Sequence, residues 1–474
     1  SQSLSYLLYI GKSMSANHYT TYRFIVLALC LVFSAHSMAD RLLTLDSCLS
    51  LAQQHNKKIQ QAALNVSKAE EVKKQAMTKY FPQVSASAVG YHSLHPMVEI
   101  GIDDISNASV RDLLTTLYGN YGAALGLDNT LSLFHYGYQV GVTAVQPVYM
   151  GGKIVAGNQL ANIGIEAAEL QSQITQRDVL LEVEESYWLV LGLREKQTTL
   201  TATMALLDTI HQTVSAAVGA GLVLPKDLLQ VELKQSEMRR MQIQLTNGLQ
   251  LAQQALCLGM GIPYSDTLQI IPSTNSQILP TIDKLNLDQP SPITTEHQLL
   301  ALQVRSAQLQ HRMALAEALP QIAIGAHYGY GKLQTNILQN DLGSETGNGS
   351  VFVSVSVPLT GWWETSHKMR EQKMALQHAQ LQQEQMGEML HMRTKQAYYQ
   401  MQEADLMIQE HQNAVDITAN HYRLTQASYQ AGQATIAELL EAHTQLLQAQ
   451  NSLTDAYIAY RVNARRYTTL NSAF

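Results

Sequence analysis

The sequence predicts an α+β membrane protein made of one duplicated unit: a helix, a β-hairpin, a very long helix and a return helix. Three observations predict it. The chain repeats itself, four of its segments alternate with period two, and most of the rest carries helical periodicity. Pro147 and Gly221 recur 211 residues on as Pro358 and Gly432, and Tyr187-Trp188 recurs at the same offset as Tyr398-Tyr399. Upstream, Ala63-Leu64-x-Val66-x-x-Ala69 recurs 238 residues on as Ala301-Leu302-x-Val304-x-x-Ala307, and Phe81-Pro82-Gln83 as Leu319-Pro320-Gln321. The 27-residue change of offset places one insertion in the first copy, between Pro82 and Pro147. One long unit duplicated once is a doubled supersecondary unit, not a stack of short repeats.

The strands come first. Tyr136, Tyr138, Val140, Val142 and Ala144 alternate with small or polar residues, as do Ile322, Ile324, Ala326, Tyr328 and Tyr330. Val351, Val353, Val355 and Val357 do the same, and Val84, Ala86 and Ala88 more weakly. Such alternation gives one apolar face, which suits a water-soluble sandwich as well as a barrel wall. The strands are expected at about 83–98, 136–148, 321–332 and 350–358, with the inner ends marked by Pro82, Pro147, Pro320 and Pro358. Proline donates nothing to a sheet ladder and breaks a helix interior, so it suits a strand–helix junction. The hairpin loops then hold Asp103 to Ser132, with a short helix expected at Arg111 to Tyr118, and Leu333 to Gly349.

The helices follow. No proline occurs from Leu359 to Phe474. A helix from Trp362 to Tyr429 would run roughly 100 Å at about 1.5 Å per residue. Beyond Gly432, Ile436, Leu439, Leu440, Leu446, Leu447, Leu453, Tyr457 and Tyr460 form a coiled-coil-like stripe. Gly221 and Gly432 stand where each long helix should end and turn back. The first repeat therefore covers 40–260 and the second 293–474, joined by a linker at 261–292 that carries Pro263, Pro272, Pro280, Pro290 and Pro292.

Composition narrows the class. The chain has 474 residues, a net charge of −7 and 46% hydrophobic residues, so it lacks the basic excess of a nucleic-acid binder. Residues 1–39 read as upstream residues and a signal peptide. Arg23 precedes the apolar run Phe24 to Phe33, Ser37-Met38-Ala39 fits the cleavage site, and Met14 is a plausible start. Leu29 before Cys30 departs from a lipid-attachment motif. Cys48 and Cys257 remain after cleavage, either as two buried thiols or as a disulfide. The 16 histidines show no metal-ligand spacing, and no nucleophile–base grouping or phosphate loop stands out. The chain is read as no enzyme and as binding no cofactor or metal.

Four strands of about ten residues have the length to cross a bilayer but cannot close, since the smallest membrane barrels use about eight. Open edges in lipid cost several kcal/mol per unpaired group. Three chains sharing one barrel would supply twelve strands.

At this point the sequence resembles the TolC family of outer-membrane efflux proteins. The resemblance rests on Leu45-x-x-Cys48-Leu49-x-Leu51-Ala52, Phe81-Pro82-Gln83, Gln146-Pro147-Val148-Tyr149 with Gly151-Gly152, and Pro358-Leu359 with Gly361. It rests also on Ala431-Gly432-x-x-x-Ile436-x-x-Leu439-Leu440 and the helix to Arg466 behind it. It implies a homotrimer in the bacterial outer membrane, with a twelve-stranded β-barrel continued by a periplasmic α-helical coiled-coil tunnel. It implies a passive exit duct of a tripartite efflux pump or a type I secretion system, working with a periplasmic adaptor and an inner-membrane pump. The alternatives from other classes are a periplasmic or secreted coiled-coil structural protein and a surface receptor or adhesin using the first loop.

The resemblance also suggests sites. Glu438 and Glu441, one turn apart after Gly432, match acidic positions that point inward near the closed periplasmic end. A threefold ring of such carboxylates attracts cations and repels anions. Two acids on a solvated helix face are the bland reading. Tyr429 matches an aromatic that helps hold the closed coil, and Asp227 lies at the corresponding tip of the first copy. Ala434 stands where a basic partner can occur, which weakens a salt-bridge lock there. The tips Gly221-Leu222 and Gly432-Gln433 are expected adaptor contacts, because exposed glycine turns admit another helical hairpin closely.

Overall fold

The computed structural model describes residues 42–94, 98–125, 130–265, 269–271, 294–337, 340–359 and 361–471. The signal segment at 1–39 and most of the 261–292 linker lie outside them. In chain order the elements are β1 (Leu42–Leu43), α1 (Leu45–His55), α2 (Lys57–Thr78), β2 (Gln83–His92), β3 (Val98–Gly101), α3 (Ala108–Leu125), β4 (Thr130–Met150), α4 (Lys153–Gly219) and α5 (Pro225–Met260). There follow β5 (Gln269–Ile270), α6 (Thr295–Ala316), β6 (Gln321–Ile337), β7 (Asn340–Ser356), α7 (Trp362–Gln430) and α8 (Ile436–Asn471). The duplication is written in the helix lengths. The opening helices α2 and α6 have 22 residues each, the long helices 67 and 69, and the return helices 36 each.

The described residues fall into two compact units, each drawing on both repeats. One holds those within 61–175 and 294–393, the other 42–60, 176–271 and 394–471.

The first unit contains the sheet, in the order β2-β4-β6-β7, all antiparallel, with β3 continuing the β2 edge along β4. Register decides its character. Val84 pairs with Ala144 and Ala326 with Val351, while Val142 pairs with Ala86 on one side and Tyr328 on the other. Ile324 faces Val353, and Ile322 faces Val355. Because residues directly opposite share a face, all four alternating sets land on one side of the sheet. That side is exposed in the single chain, at Val84, Val140, Val142, Tyr328, Val351, Val353 and Val355 among others. Tyrosines bound it at both ends: Tyr138 and Tyr330 at one, and Tyr149, opposite Ile322, at the other. An outward apolar band between aromatic girdles is the surface of a transmembrane barrel.

The opposite face carries Ser85, Ser87, Gln139, Thr143, His327, Ser350 and Ser354, with Thr143 Oγ1 2.9 Å from His327 Nδ1. Glycines on this face let rings lie flat against the wall, Phe352 over Gly325 and Tyr91 over Gly137.

The sheet also corrects several expected boundaries. β4 runs from Thr130 through Pro147 to Met150, with a register shift between Pro147 and Tyr149. The proline therefore marks a bulge within the strand rather than its end, since the bulge removes the need for its missing donor. β6 and β7 extend far into the expected loop and leave only residues 338 and 339 between them. The strand expected at 83–98 ends at His92. Pro82 and Pro320 stand directly before β2 and β6, and Pro358 two residues after β7, as junctions should. In the inserted loop the short helix expected at Arg111 to Tyr118 is the 18-residue α3.

Where this unit's helices meet the sheet, Glu317 accepts from Lys153 Nζ at 2.8 Å and also binds Lys368. These cations hold its carboxyl below the usual range.

The second unit is helical. One core gathers Cys48, Ala52, Val183, Tyr187, Val190, Leu256, Cys257 and Met260. The two-stranded parallel pair β1–β5 lies on it, tied by Tyr187 Oη donating to the Ile271 carbonyl at 2.7 Å and by Arg194 donating to the Ile270 carbonyl at 2.6 Å. Both cysteines are free, buried thiols, and burial pushes Cys48 up to about 12. A further core, Leu200, Leu207, Val214, Val231, Met238, Ile436, Leu439, Leu440 and Leu447, joins α4, α5 and α8, with Tyr422 and Tyr429 of α7 packed against it.

Candidate functional site at the helical tips

The two tips are built alike. At the first, Gly221 N–H donates to the Val218 carbonyl at 2.9 Å and Leu222 N–H to Ala217 at 2.9 Å. At the second, Gly432 N–H donates to Tyr429 at 3.0 Å and Gln433 N–H to Ser428 at 2.8 Å. This is the paired hydrogen-bond signature of a helix closed by a left-handed residue, and both glycines sit at φ 73°. Nothing approaches within 4 Å of a Cβ built at either position, so the glycine is required by backbone conformation alone. Leu222 is 80% exposed, an apolar side chain held out at a turn.

The structure gives Glu438 a local job. Its Oε2 accepts from the Thr435 N–H at 2.8 Å, while the Glu438 N–H donates to Thr435 Oγ1 at 3.3 Å. This reciprocal capping box starts α8 and satisfies two donors the helix leaves open. The Thr435-x-x-Glu438 pattern was legible in the sequence and is its plain signal. Glu441, one turn on, accepts from Gln445 Nε2 at 3.2 Å. Both acids lie on the exposed side of a helix whose Ile436, Leu439 and Leu440 are buried.

Asp227 is the first-repeat counterpart of Glu438, again in the first turn of its return helix, which Pro225 begins. There it faces the positive end of the helix dipole. Tyr429 lies near it. Burial, and after it the Asp227 carboxylate, push the Tyr429 phenol upward. In one chain the four expected gate residues thus fall into separate groups: Tyr429 with Asp227, Glu438 with Thr435, and Glu441 with Gln445.

A second pair of equivalent positions escaped sequence reasoning. His211 Nε2 lies 3.6 Å from Glu232 in the first repeat, and Tyr422 stacks edge-on against His443 at 5.1 Å in the second. The 211-residue offset relates these pairs and could have found them. Burial, with Lys234 nearby, pushes the His443 imidazole downward. Further along, a cavity of about 510 Å³ opens between α5 and α8, lined by Lys234, Glu237, Arg240, Gln448 and Asp455 among others. Among the described residues, no cluster of histidine, cysteine, aspartate and glutamate could hold a metal ion.

Comparison with known proteins follows from this geometry. The sequence model of the family described as outer membrane efflux protein matches residues 48–261 and 298–468. Comparison with curated proteins gives no match. Among solved structures, the fold is similar to the CmeC outer membrane channel of Campylobacter jejuni, with TM-score 0.70 and 14% identity over 90% of this chain and 85% of that one. It is similar to the outer membrane protein VceC of Vibrio cholerae, with TM-score 0.68 and 16% identity over 91% and 96%. It is also similar to the open state of the MtrE outer membrane channel of Neisseria gonorrhoeae, with TM-score 0.68 and 14% identity over 90% and 89%. At these identities the likeness is one of fold.

Proposed function

Since this chain belongs to the outer membrane efflux protein family, we propose that three copies close one twelve-stranded barrel and that their helical tips form its gate and its docking end. The chain is an outer-membrane exit duct with a large periplasmic helical part, and it is not an enzyme. The observation that carries the trimer is the sheet itself. It presents one continuous apolar face, yet β2 and β7 each have a pairing partner on one side only among the described residues. In hydrocarbon each bare edge must meet another strand, and pairing β2 of one copy with β7 of the next does so for every copy.

The inner face supports placing selection at the tips. Among the described strand residues, the inward positions from Ser85 to Tyr91, Gly137 to Val145, Ala323 to Gly331 and Ser350 to Ser356 carry no aspartate, glutamate, lysine or arginine. Charge discrimination then falls to the helices. Glu441 and Glu438 stand one turn apart on an exposed face, and three copies would ring the opening with carboxylates. Tyr429 beside Asp227 would hold the coil near it. Gly221-Leu222 and Gly432-Gln433 would meet a periplasmic adaptor, through which an inner-membrane pump drives cargo.

The trimer is tested by its mass in detergent. A trimer with channel conductance in planar bilayers supports the reading, and a monodisperse monomer in plain buffer defeats it. For the gate, Glu438→Gln with Glu441→Gln should lower cation preference, and unchanged selectivity would remove these residues from the constriction.

A further inference from the structure

The 27-residue insertion of the first repeat is built around α3, and α3 has an uncovered face. Asn107 caps it, its Oδ1 accepting from the Ser109 and Val110 N–H groups at 3.1 and 3.3 Å. Val110, Leu113, Leu114, Leu117 and Tyr121 recur at three- and four-residue spacing, so they form one stripe. Val110, Leu113, Leu117 and Tyr121 are 44–60% exposed. The opposite side holds Asp112, Thr115, Thr116 and Gly119. Such a helix is marginal in water without packing, since its length is near the limit for isolated helices and Gly119, Val110, Thr115 and Thr116 are poor helix formers.

What covers the stripe follows from two features. The polar side lacks the lysine and arginine that hold an amphipathic helix on a lipid surface; between Ala108 and Leu125 only Arg111 and Asp112 are charged, and they cancel. The helix also springs from the subunit seam. It follows β3, and β3 pairs with β4 from Val98–Leu133 to Gly101–Thr130, on the same β4 edge that β2 occupies. That is the edge of the sheet which, in the trimer proposed above, faces the next copy.

We propose that the α3 helices of the three copies pack against one another through Val110, Leu113, Leu117 and Tyr121, and so form a three-helix cap over the extracellular mouth of the barrel. The cap rests on the trimer reading. The occupant of each stripe is a second copy of this chain, and symmetry supplies one helix per seam.

The test uses the intact protein in native outer membranes, with Leu117→Cys on the stripe and Asp112→Cys on the far side as control. Oxidation with copper phenanthroline should join copies through position 117 and not through 112. An assembly that stays trimeric but gives no crosslink at 117 overturns the cap and leaves the trimer standing. Dissociation to monomers before oxidation overturns the trimer itself. A fluorophore attached to the Leu117→Cys variant that is quenched by brominated lipid, without crosslinking, assigns the stripe to the outer leaflet and also overturns the cap. As an independent readout, Leu113→Asp with Leu117→Asp should raise single-channel conductance at unchanged ion preference. Unchanged conductance overturns the cap.

Discussion

A lysine on the outer face of the sheet tests the central physical claim. Val351 is 79% exposed in one chain and sits opposite Ala326, midway between the two aromatic girdles. Ser350, its neighbour, points to the other face opposite His327. If the apolar face meets hydrocarbon, Val351→Lys places a charge near the bilayer midplane and costs about 2–4 kcal/mol per chain, hence ~6–12 kcal/mol for a barrel of three. Ser350→Lys reaches a water-filled lumen and costs about 1 kcal/mol or less. On a water-soluble sandwich the order would differ, because a lysine at a position as exposed as Val351 changes stability by roughly 0.5 kcal/mol at most. The assay is urea unfolding of protein folded into lipid vesicles, read by the loss of the heat-resistant folded band. Equal stability of the two variants, or a larger loss at Ser350, would refute the assignment of faces.

Other outcomes follow from single sites. Gly432→Ala should cost about 1–2 kcal/mol in chemical denaturation, the backbone penalty of a left-handed alanine with no clash. Gly261→Ala should cost clearly more, because the same φ of 73° is joined by a Cβ driven into the His55 carbonyl group. At the sheet junction, Glu317 has a folded-state pKa below its ordinary 4.5, so its ion pairs contribute stability above that value and lose it as pH falls through the folded pKa. The deficit of Glu317→Gln against wild type should thus be present at pH 7 and vanish in acid. With its side chain 29% exposed it should stay within about 1 kcal/mol. Cys48, its thiol pushed up to about 12 and fully buried, should resist maleimide in the folded channel and react only after unfolding. An adduct formed at native speed would contradict the packing of Cys48 against α5.

The glycine tips, the junctions at Pro82, Pro320 and Pro358 and the helix lengths were legible because each follows from a local rule. Left-handed turns need glycine, strand ends tolerate proline, and a stretch free of both continues as helix. The proposed gate was legible only in part. Sequence placed Glu438 and Glu441 one turn apart, yet the carboxylate of Glu438 closes a capping box with Thr435 that a four-residue pattern announces. The meeting of Tyr429 with Asp227 could not be read, since they lie on different repeats and come together only when α7 packs beside α5. Strand ends at Met150 and Ile337 also escaped reading, because ladder hydrogen bonds carry a strand through a proline bulge or a glycine-rich turn that local preference would end.

By itself the sequence determined the duplication, visible when the chain is compared with itself, and the main element types and the period-two pattern, which depend on neighbours a few residues apart. The tertiary structure alone decided that the four apolar sets share one face and that, among the described residues, two strand edges are left without a partner on one side. A strand's alternation is unchanged when its pairing slips by one residue, but the slip turns its apolar side to the opposite face, and only the ladder between strands fixes which face that is.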